Sequence, residues 1–350
     1  MIVIVDCMGG DKAPLEVVKG AYAASLEYNA NFILVGDKAE ILRIADEEGY
    51  DLRRFDIVDA PVTVEMTDPP LAVMKAKKDS SMNVALTMLA EGKGDALVST
   101  GNTGALFTGA TLIVRKIKGI KRPAIASILP MTPPVLLLDS GANISVTPAY
   151  LEQFAIMGSI YMHKIYGLSA PRIGLLNNGA EETKGTELQL EAYKLLSESP
   201  SLNFVGNIEA NMVPKDACDV LVTDGFTGNI LLKSIEGMGK LMLRTMKDIF
   251  FTNIKAKFSA LLIKKKLDEV KAVFDPNEYG GAPILGIAKP VIKAHGSSNA
   301  KAVKNAIRQA IAYAESGVIY SIARETKLFA PSPSVKAEEE KTLAVNASEK

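Results

Sequence analysis

IVIVDCMGGDKAP, residues 2–14, joins a β-branched run to a loop of Gly, Asp and Lys, and a stretch of helical periodicity follows it. The same succession recurs at FILVG (32–36), DALVS (95–99), VLLLD (135–139), RIGLLN (172–177) and DVLVTD (219–224). Strands that are apolar without alternation, separated by helices, predict a mainly parallel sheet covered on both faces, an α/β fold. In open sheets of this kind ligands bind beyond the carboxyl ends of the strands, where helix N-termini direct free N–H groups. The loops at those ends are therefore the place to look for chemistry.

Composition narrows the classes. The chain has 350 residues, 48% of them hydrophobic and 23% charged, with 27 Gly and 17 Pro, the profile of an ordinary globular protein. We expect one large α/β domain over 1–330, in one or two lobes, with a helical insertion at about 237–274 and a disordered tail over 331–350, where Pro, Ser and mixed charge leave little to bury. Lys plus Arg and Asp plus Glu are balanced at 40 each, which lacks the basic excess of a nucleic-acid partner. Cys7 and Cys218 cannot form a disulfide framework and have no metal-ligand spacing, so a reducing compartment is expected. The N-terminus reads as a strand rather than a signal peptide, and no run has the 18 or more apolar residues of a spanning helix. With two histidines and no HExxH, a zinc hydrolase is not signalled, and we expect neither metal nor cofactor.

Five loops follow the strands: DCMGGDKAP (6–14), STGNTGA (99–105), DSGAN (139–143), NNGAEETKG (177–185) and DGFTGN (224–229); a sixth, HGSSN (295–299), follows the apolar VIKA. Each combines Gly with Asp, Asn, Ser or Thr, residues that turn the chain and cap helices in any α/β protein. Six loops of one chemistry, expected at one sheet edge, also suit a small oxyanion, because amides in Gly-rich turns form concave positive sites to which Asn, Ser and Thr add neutral donors. GxGxxG, GxxxxGK[ST] and GxSxG are all absent, so dinucleotide, P-loop and hydrolase-elbow chemistries are unsupported. Phosphate, carboxylate and a transition-state oxyanion remain open as ligands. Asp6, Asp11, Asp139 and Asp224 read as caps or turn formers, Lys184 and Lys233 as sources of charge for a phosphate, His295 as an acid, base or donor, and His163 as structural.

Between about Gly237 and Phe274, Met246, Ile249, Phe250, Ile254, Phe258, Leu261 and Leu262 recur at helical spacing, and residues 240–271 carry nine Lys or Arg against three Asp or Glu. The stretch reads as amphipathic helices packed on the body or on another copy, or as a surface for an anionic membrane or acidic protein.

Taken in order, VDCMGGDKAP, KKDSSMNVAL (77–86), STGNTGALFTGA, LDSGAN, GLLNNGAEETKG, VTDGFTGNILLKSIEG (222–237), YGGAPILG (279–286) and AHGSSN resemble the bacterial acyl-carrier-protein:phosphate acyltransferases of phospholipid synthesis, from residue 3 to about residue 316. The chain departs from that pattern at Asn178, Ala180 and Thr147. The resemblance implies a Rossmann-like three-layer α/β/α fold of the isopropylmalate dehydrogenase and phosphotransacetylase kind. It implies a cytoplasmic homodimer associated with the inner face of the membrane. It also implies conversion of fatty acyl-carrier protein and inorganic phosphate to acyl phosphate and free carrier protein, the product feeding a membrane glycerol-3-phosphate acyltransferase. On that reading Gly9, Gly10, Asn102, Thr103, Gly104, Asn143, Gly228, Ser297, Ser298 and Asn299 bind substrate or phosphate. Lys184 offsets the charge, Asn229 or His295 steadies the oxyanion, and Asp6, Asp11 and Asp224 order the loops. Phe250, Lys255, Lys257, Phe258, Leu261 and Leu262 would meet membrane or carrier protein. Two rival readings are a transfer from coenzyme A and a non-catalytic anion-binding or membrane-scaffold protein.

Overall fold

The computed structural model describes residues 1–328, so the tail expected at 331–350 lies outside the described residues. Eleven strands form one sheet: β1 (Ile2–Asp6), β2 (Asn31–Gly36), β3 (Phe55–Asp59), β4 (Ala96–Ser99), β5 (Ala124–Leu129), β6 (Val135–Leu138), β7 (Arg172–Asn177), β8 (Asn203–Glu209), β9 (Val220–Val222), β10 (Gly281–Leu285) and β11 (Val291–Ala294). Among them run α1 (Leu15–Glu27), α2 (Lys38–Glu47), α3 (Ser81–Ala90), α4 (Thr103–Gly109), α5 (Pro148–Tyr166) and α6 (Glu187–Glu198). After β9 come α7 (Gly225–Phe250), α8 (Ile254–Leu262), α9 (Lys264–Phe274) and the single turn α10 (Pro276–Tyr279); α11 (Ala300–Glu315) and α12 (Val318–Leu328) follow β11.

The strands lie in the order β3-β2-β1-β4-β11-β10-β5-β6-β9-β7-β8. Seven of the ten neighbouring pairs are parallel, as expected for this α/β class. The three antiparallel pairs, β11 with β10, β10 with β5 and β5 with β6, sit together in the middle. Because the sense reverses three times, β6, β9, β7 and β8 run opposite to β1, β2, β3, β4 and β11. The six loops therefore do not share one sheet edge: those after β1, β4 and β11 leave by one edge, and those after β6, β7 and β9 by the other.

Both faces are covered, which explains the unbroken apolar strands. On β1, Val3 and Val5 join Phe32, Leu34, Val98, Ile292, Val303 and Ile307 in one core, while Ile4 joins Ile33, Leu97, Met82, Leu86 and Leu106 in the other. Four strands lie outside the six expected runs and the apolar VIKA of β11. β3 and β8 are edge strands with polar residues at partly exposed positions, β10 carries Gly281 and Pro283, and β5 is a short run bounded by Pro123 and Pro130.

The central strands also open the sheet. β10 pairs with β11 through Gly281, Ala282 and Pro283 but with β5 only through Ile284 and Leu285. Beyond Ile125, β5 pairs with β6 alone. The split lies beneath α7, and there the two opposed sets of loops approach each other.

Candidate functional site

Each half of the sheet is organised around a buried aspartate. At the end of β1, Asp6 accepts hydrogen bonds from Ser81 Oγ of α3 and Ser99 Oγ of β4, both at 2.6 Å, and from Met8 N at 3.3 Å. Burial pushes its carboxyl above the usual range, against the lowering effect of these bonds and of Lys293. The clamp brings the neighbouring loops together. A Cβ on Gly9 would overlap Gly101, and Gly10, at φ +100°, packs on Gly296 and Thr100. Asp11 N donates to Gly296 O at 2.8 Å, tying in the loop after β11.

At the end of β6, Asp139 gathers amides instead. Oδ1 accepts from the N–H groups of Ile125, Gly141 and Ala142, and Oδ2 from the N–H and Nδ2 of Asn143. Burial raises this carboxyl too. Asn143 reaches onward to Pro123 O and accepts from Gly225 N, so it fixes the start of α7. Asp224 caps that helix through Thr227, and Gly228 lies against the Asp139 carbonyl, where a Cβ would overlap the oxygen.

Between these assemblies lies a hollow of about 440 Å³. Its polar wall includes Thr103 from α4, Ser127, Ser140, Asn229 and Lys233 of α7, Lys293 of β11 and His295. Its apolar wall includes Ile125, Ile128, Pro130, Leu232 and Phe274. His295 Nδ1 accepts from Ser297 N at 3.2 Å and contacts Ser297 Oγ at 2.9 Å. That amide requires a lone pair on Nδ1, so the ring proton resides on Nε2. Partial desolvation, with Lys233 and Lys293 close by, holds the ring below its usual pKa and hence neutral at pH 7. The hollow thus has an uncharged ring, an amide, hydroxyls and cations on one side and an apolar surface on the other.

Several expected ligand residues commit some of their polar groups to the scaffold. Asn102 is 7% exposed; its Oδ1 caps α4 at Ala105 N, and its Nδ2 lies 2.9–3.1 Å from the carbonyls of Glu65, Met66 and Asp68. Its side-chain N–H donors are thereby taken up by the 65–68 segment, which is pinned beside Thr103. Asn299 caps α11, Gly104 abuts Pro70, and Ser298 is buried with its N–H on His295 O. Within one copy of the chain Lys184 does not reach the hollow; it lies in the loop after β7, against Gly179. Lys293, which lies inside an apolar strand run, was not among the expected site residues. Cys7 and Cys218 are buried thiols, Cys218 pushed up to about 12 by burial and Cys7 higher still, so neither is a nucleophile.

The helical segment begins earlier than expected, at Gly225, because α7 is one continuous helix of 26 residues. Past the hollow its apolar side chains face solvent: Met238, Leu241 and Ile249 are exposed, as are Phe251 just beyond its end and Phe258, Leu261 and Leu262 of α8. Lys255 is exposed, Phe250 is half-buried, and the side chains of Ile254 and Lys257 lie outside the described ones. No described helix is long and apolar enough to cross a membrane.

The family described as fatty acid synthesis protein matches residues 1–321. The phosphate acyltransferase of Acetivibrio thermocellus is 46% identical over 327 residues, 93% of this chain and 96% of the relative. That of Clostridioides difficile is 44% identical over 92% of this chain and 95% of its own. Among solved structures, a phosphotransacetylase from Streptococcus pyogenes superposes with a TM-score of 0.60 at 17% identity, over 90% of this chain and 94% of that one. A 4-hydroxythreonine-4-phosphate dehydrogenase from Salmonella typhimurium gives 0.54 at 13% identity, over 89% and 98%. These two share the fold.

Proposed function

The chain belongs to the fatty acid synthesis protein family and is an acyltransferase, and from that premise we propose that it moves a fatty acyl group from the thioester of an acyl-carrier protein to inorganic phosphate. A phosphate oxygen attacks the carbonyl carbon, the tetrahedral oxyanion collapses, and the C–S bond breaks to give acyl phosphate and a carrier thiol. A thiol with an ordinary pKa of about 8.5 leaves without strong acid assistance, so the reaction demands positioning and oxyanion stabilisation more than proton transfer.

The observation that carries this reading is the hollow itself, where donors and an apolar wall meet at the split in the sheet. In this reading Thr103 and Lys233, which line the hollow, receive phosphate, and the His295 Nε2–H and the Asn229 amide receive the oxyanion. Ile128, Leu232 and Phe274 offer the acyl chain an apolar surface. Asp6, Asn102, Asn143, Asp224 and Asn299 hold these groups in place. The assay is phosphate-dependent release of free carrier thiol, run beside acyl-coenzyme A as competing donor. Equal or better turnover of the coenzyme A thioester would replace the carrier reading, and no phosphate-dependent release from either donor would leave only a binding protein.

The exposed apolar stripe of α7 and α8, with the excess of Lys over 240–271, further supports a peripheral homodimer at the inner face of the membrane, handing acyl phosphate to a membrane glycerol-3-phosphate acyltransferase. A variant with Phe258→Glu and Leu262→Glu is expected to lose co-sedimentation with anionic vesicles while keeping its turnover in solution. Unchanged sedimentation would reduce the stripe to a contact between copies.

A further inference from the structure

Lys293 stands out among the charged groups of the hollow. It sits in the sheet, on β11, opposite Ala282 of β10 and Ser99 of β4, and only 8% of it is exposed. Its Nζ donates to Thr100 O at 3.3 Å and to Ala294 O. No carboxylate forms an ion pair with it among the described residues. Asp6, the nearest in charge terms, is taken up by Ser81, Ser99 and the Met8 amide. Asp11 lies in the exposed part of its loop.

A buried ammonium without a counter-ion is costly, and a protein gains nothing in stability by keeping one. Burial lowers this lysine to about 8, with Asp6 and Asp11 opposing and Lys233 reinforcing the shift. It is therefore mainly charged at neutral pH, and an entering anion would relieve its desolvation. An ammonium has three donors, two of which the Thr100 and Ala294 carbonyls occupy. The third is left for the hollow, which Lys293 lines together with Thr103 and His295.

We infer that Lys293 is the fixed cation of the phosphate subsite, its remaining N–H donor and its charge holding the nucleophilic dianion beside the Thr103 hydroxyl. The inference rests on the reading of the hollow as the transfer site. It assigns phosphate to the β4 and β11 side of the split and leaves the apolar wall to the acyl group. Lys233 is engaged by Glu236 at 2.8 Å and stands on the exposed face of α7, so it acts as a second, mobile charge.

Two variants and one titration test this. Lys293→Met is expected to raise the KM for phosphate about 10- to 100-fold, the range for a lost hydrogen bond to a charged group, with the KM for the acyl donor nearly unchanged; Lys293→Arg is expected to restore part of the phosphate KM. In thermal unfolding, the ligand-free Lys293→Met protein should melt no lower than wild type and should lose the upward shift that inorganic phosphate produces. For the unaltered protein, sulfate, whose charge is constant over the range, should protect progressively less as pH rises through 8 and Lys293 gives up its proton. The groups that face Lys293, namely Asp6 of β1, Asp11, His295, and Lys233, Glu236 and Lys240 of α7, set the field in which this happens. An unchanged phosphate KM in Lys293→Met, or a phosphate melting shift that survives it, overturns the inference. So does sulfate protection that holds constant through pH 8. Failure of the wild-type chain to make acyl phosphate would sink the transferase reading instead, and the melting shifts would still judge Lys293.

Discussion

Asp6 and Asp139 are both buried carboxylates at the end of a strand, and they hold their loops by opposite means. Asp6 joins three segments far apart in sequence through the hydroxyls of Ser81 and Ser99. Asp139 is wrapped by the amides of its own loop, with one more from Ile125. A hydroxyl can rotate and become an acceptor, whereas a backbone N–H cannot. The β1 side of the hollow is therefore adjustable, and the β6 side is set by the backbone.

The largest effect should come from the rigid side. Gly228→Ala puts a methyl into the Asp139 carbonyl oxygen, a backbone atom that cannot turn aside, and is expected to cost about 3 kcal/mol in urea unfolding, the upper range for overpacking. A loss under about 1 kcal/mol would mean that the start of α7 shifts freely, contrary to a backbone-set wall.

Next comes the exchange of each carboxylate for its amide. Asp139→Asn turns an NH₂ toward amides that can only donate, and we expect a loss of about 3 kcal/mol; Asp6→Asn meets hydroxyls that can reverse, and about 1 kcal/mol is expected. Equal losses would break the comparison. The smaller of the two differences should also depend on pH. Burial raises the Asp6 carboxyl above its ordinary 3.8, so the folded protein binds this proton more tightly than the unfolded chain. The stability that Asp6 contributes is then fullest in acid and is lost as pH rises through the raised value. The wild-type advantage over Asp6→Asn should accordingly shrink as pH rises from about 4 through the raised value. A gap that widens over that interval would show that the carboxylate, not the acid, is the better-held form.

Much of this was legible in the chain. The apolar runs at 2–6, 32–36, 95–99, 135–139, 172–177 and 219–224 all form strands or lead directly out of them, because burial on both faces leaves a signal that needs no partner to interpret. The Gly-bearing loops were equally visible. Their division of labour was not. Asn102 and Lys293 illustrate the two kinds of error: Asn102 is a loop residue of the type that binds anions, yet the 65–68 segment consumes its amide. Lys293 sits in an apolar run, where a lysine looks incidental, yet it faces the hollow. Whether a polar group is spent or free depends on partners tens to hundreds of residues away, which spacing along the chain does not encode.

What the residues alone determined is the α/β class, the covered sheet, the set of loops and the anion chemistry they suit, since these follow from local hydrophobic pattern and turn-forming residues. Tertiary structure decided that the loops leave from opposite edges and meet only where β10 parts from β5. Strand sense in a mixed sheet is fixed by which neighbours pair across long sequence separations. A strand such as β10, short and interrupted by Gly and Pro, has too little local preference to announce that choice.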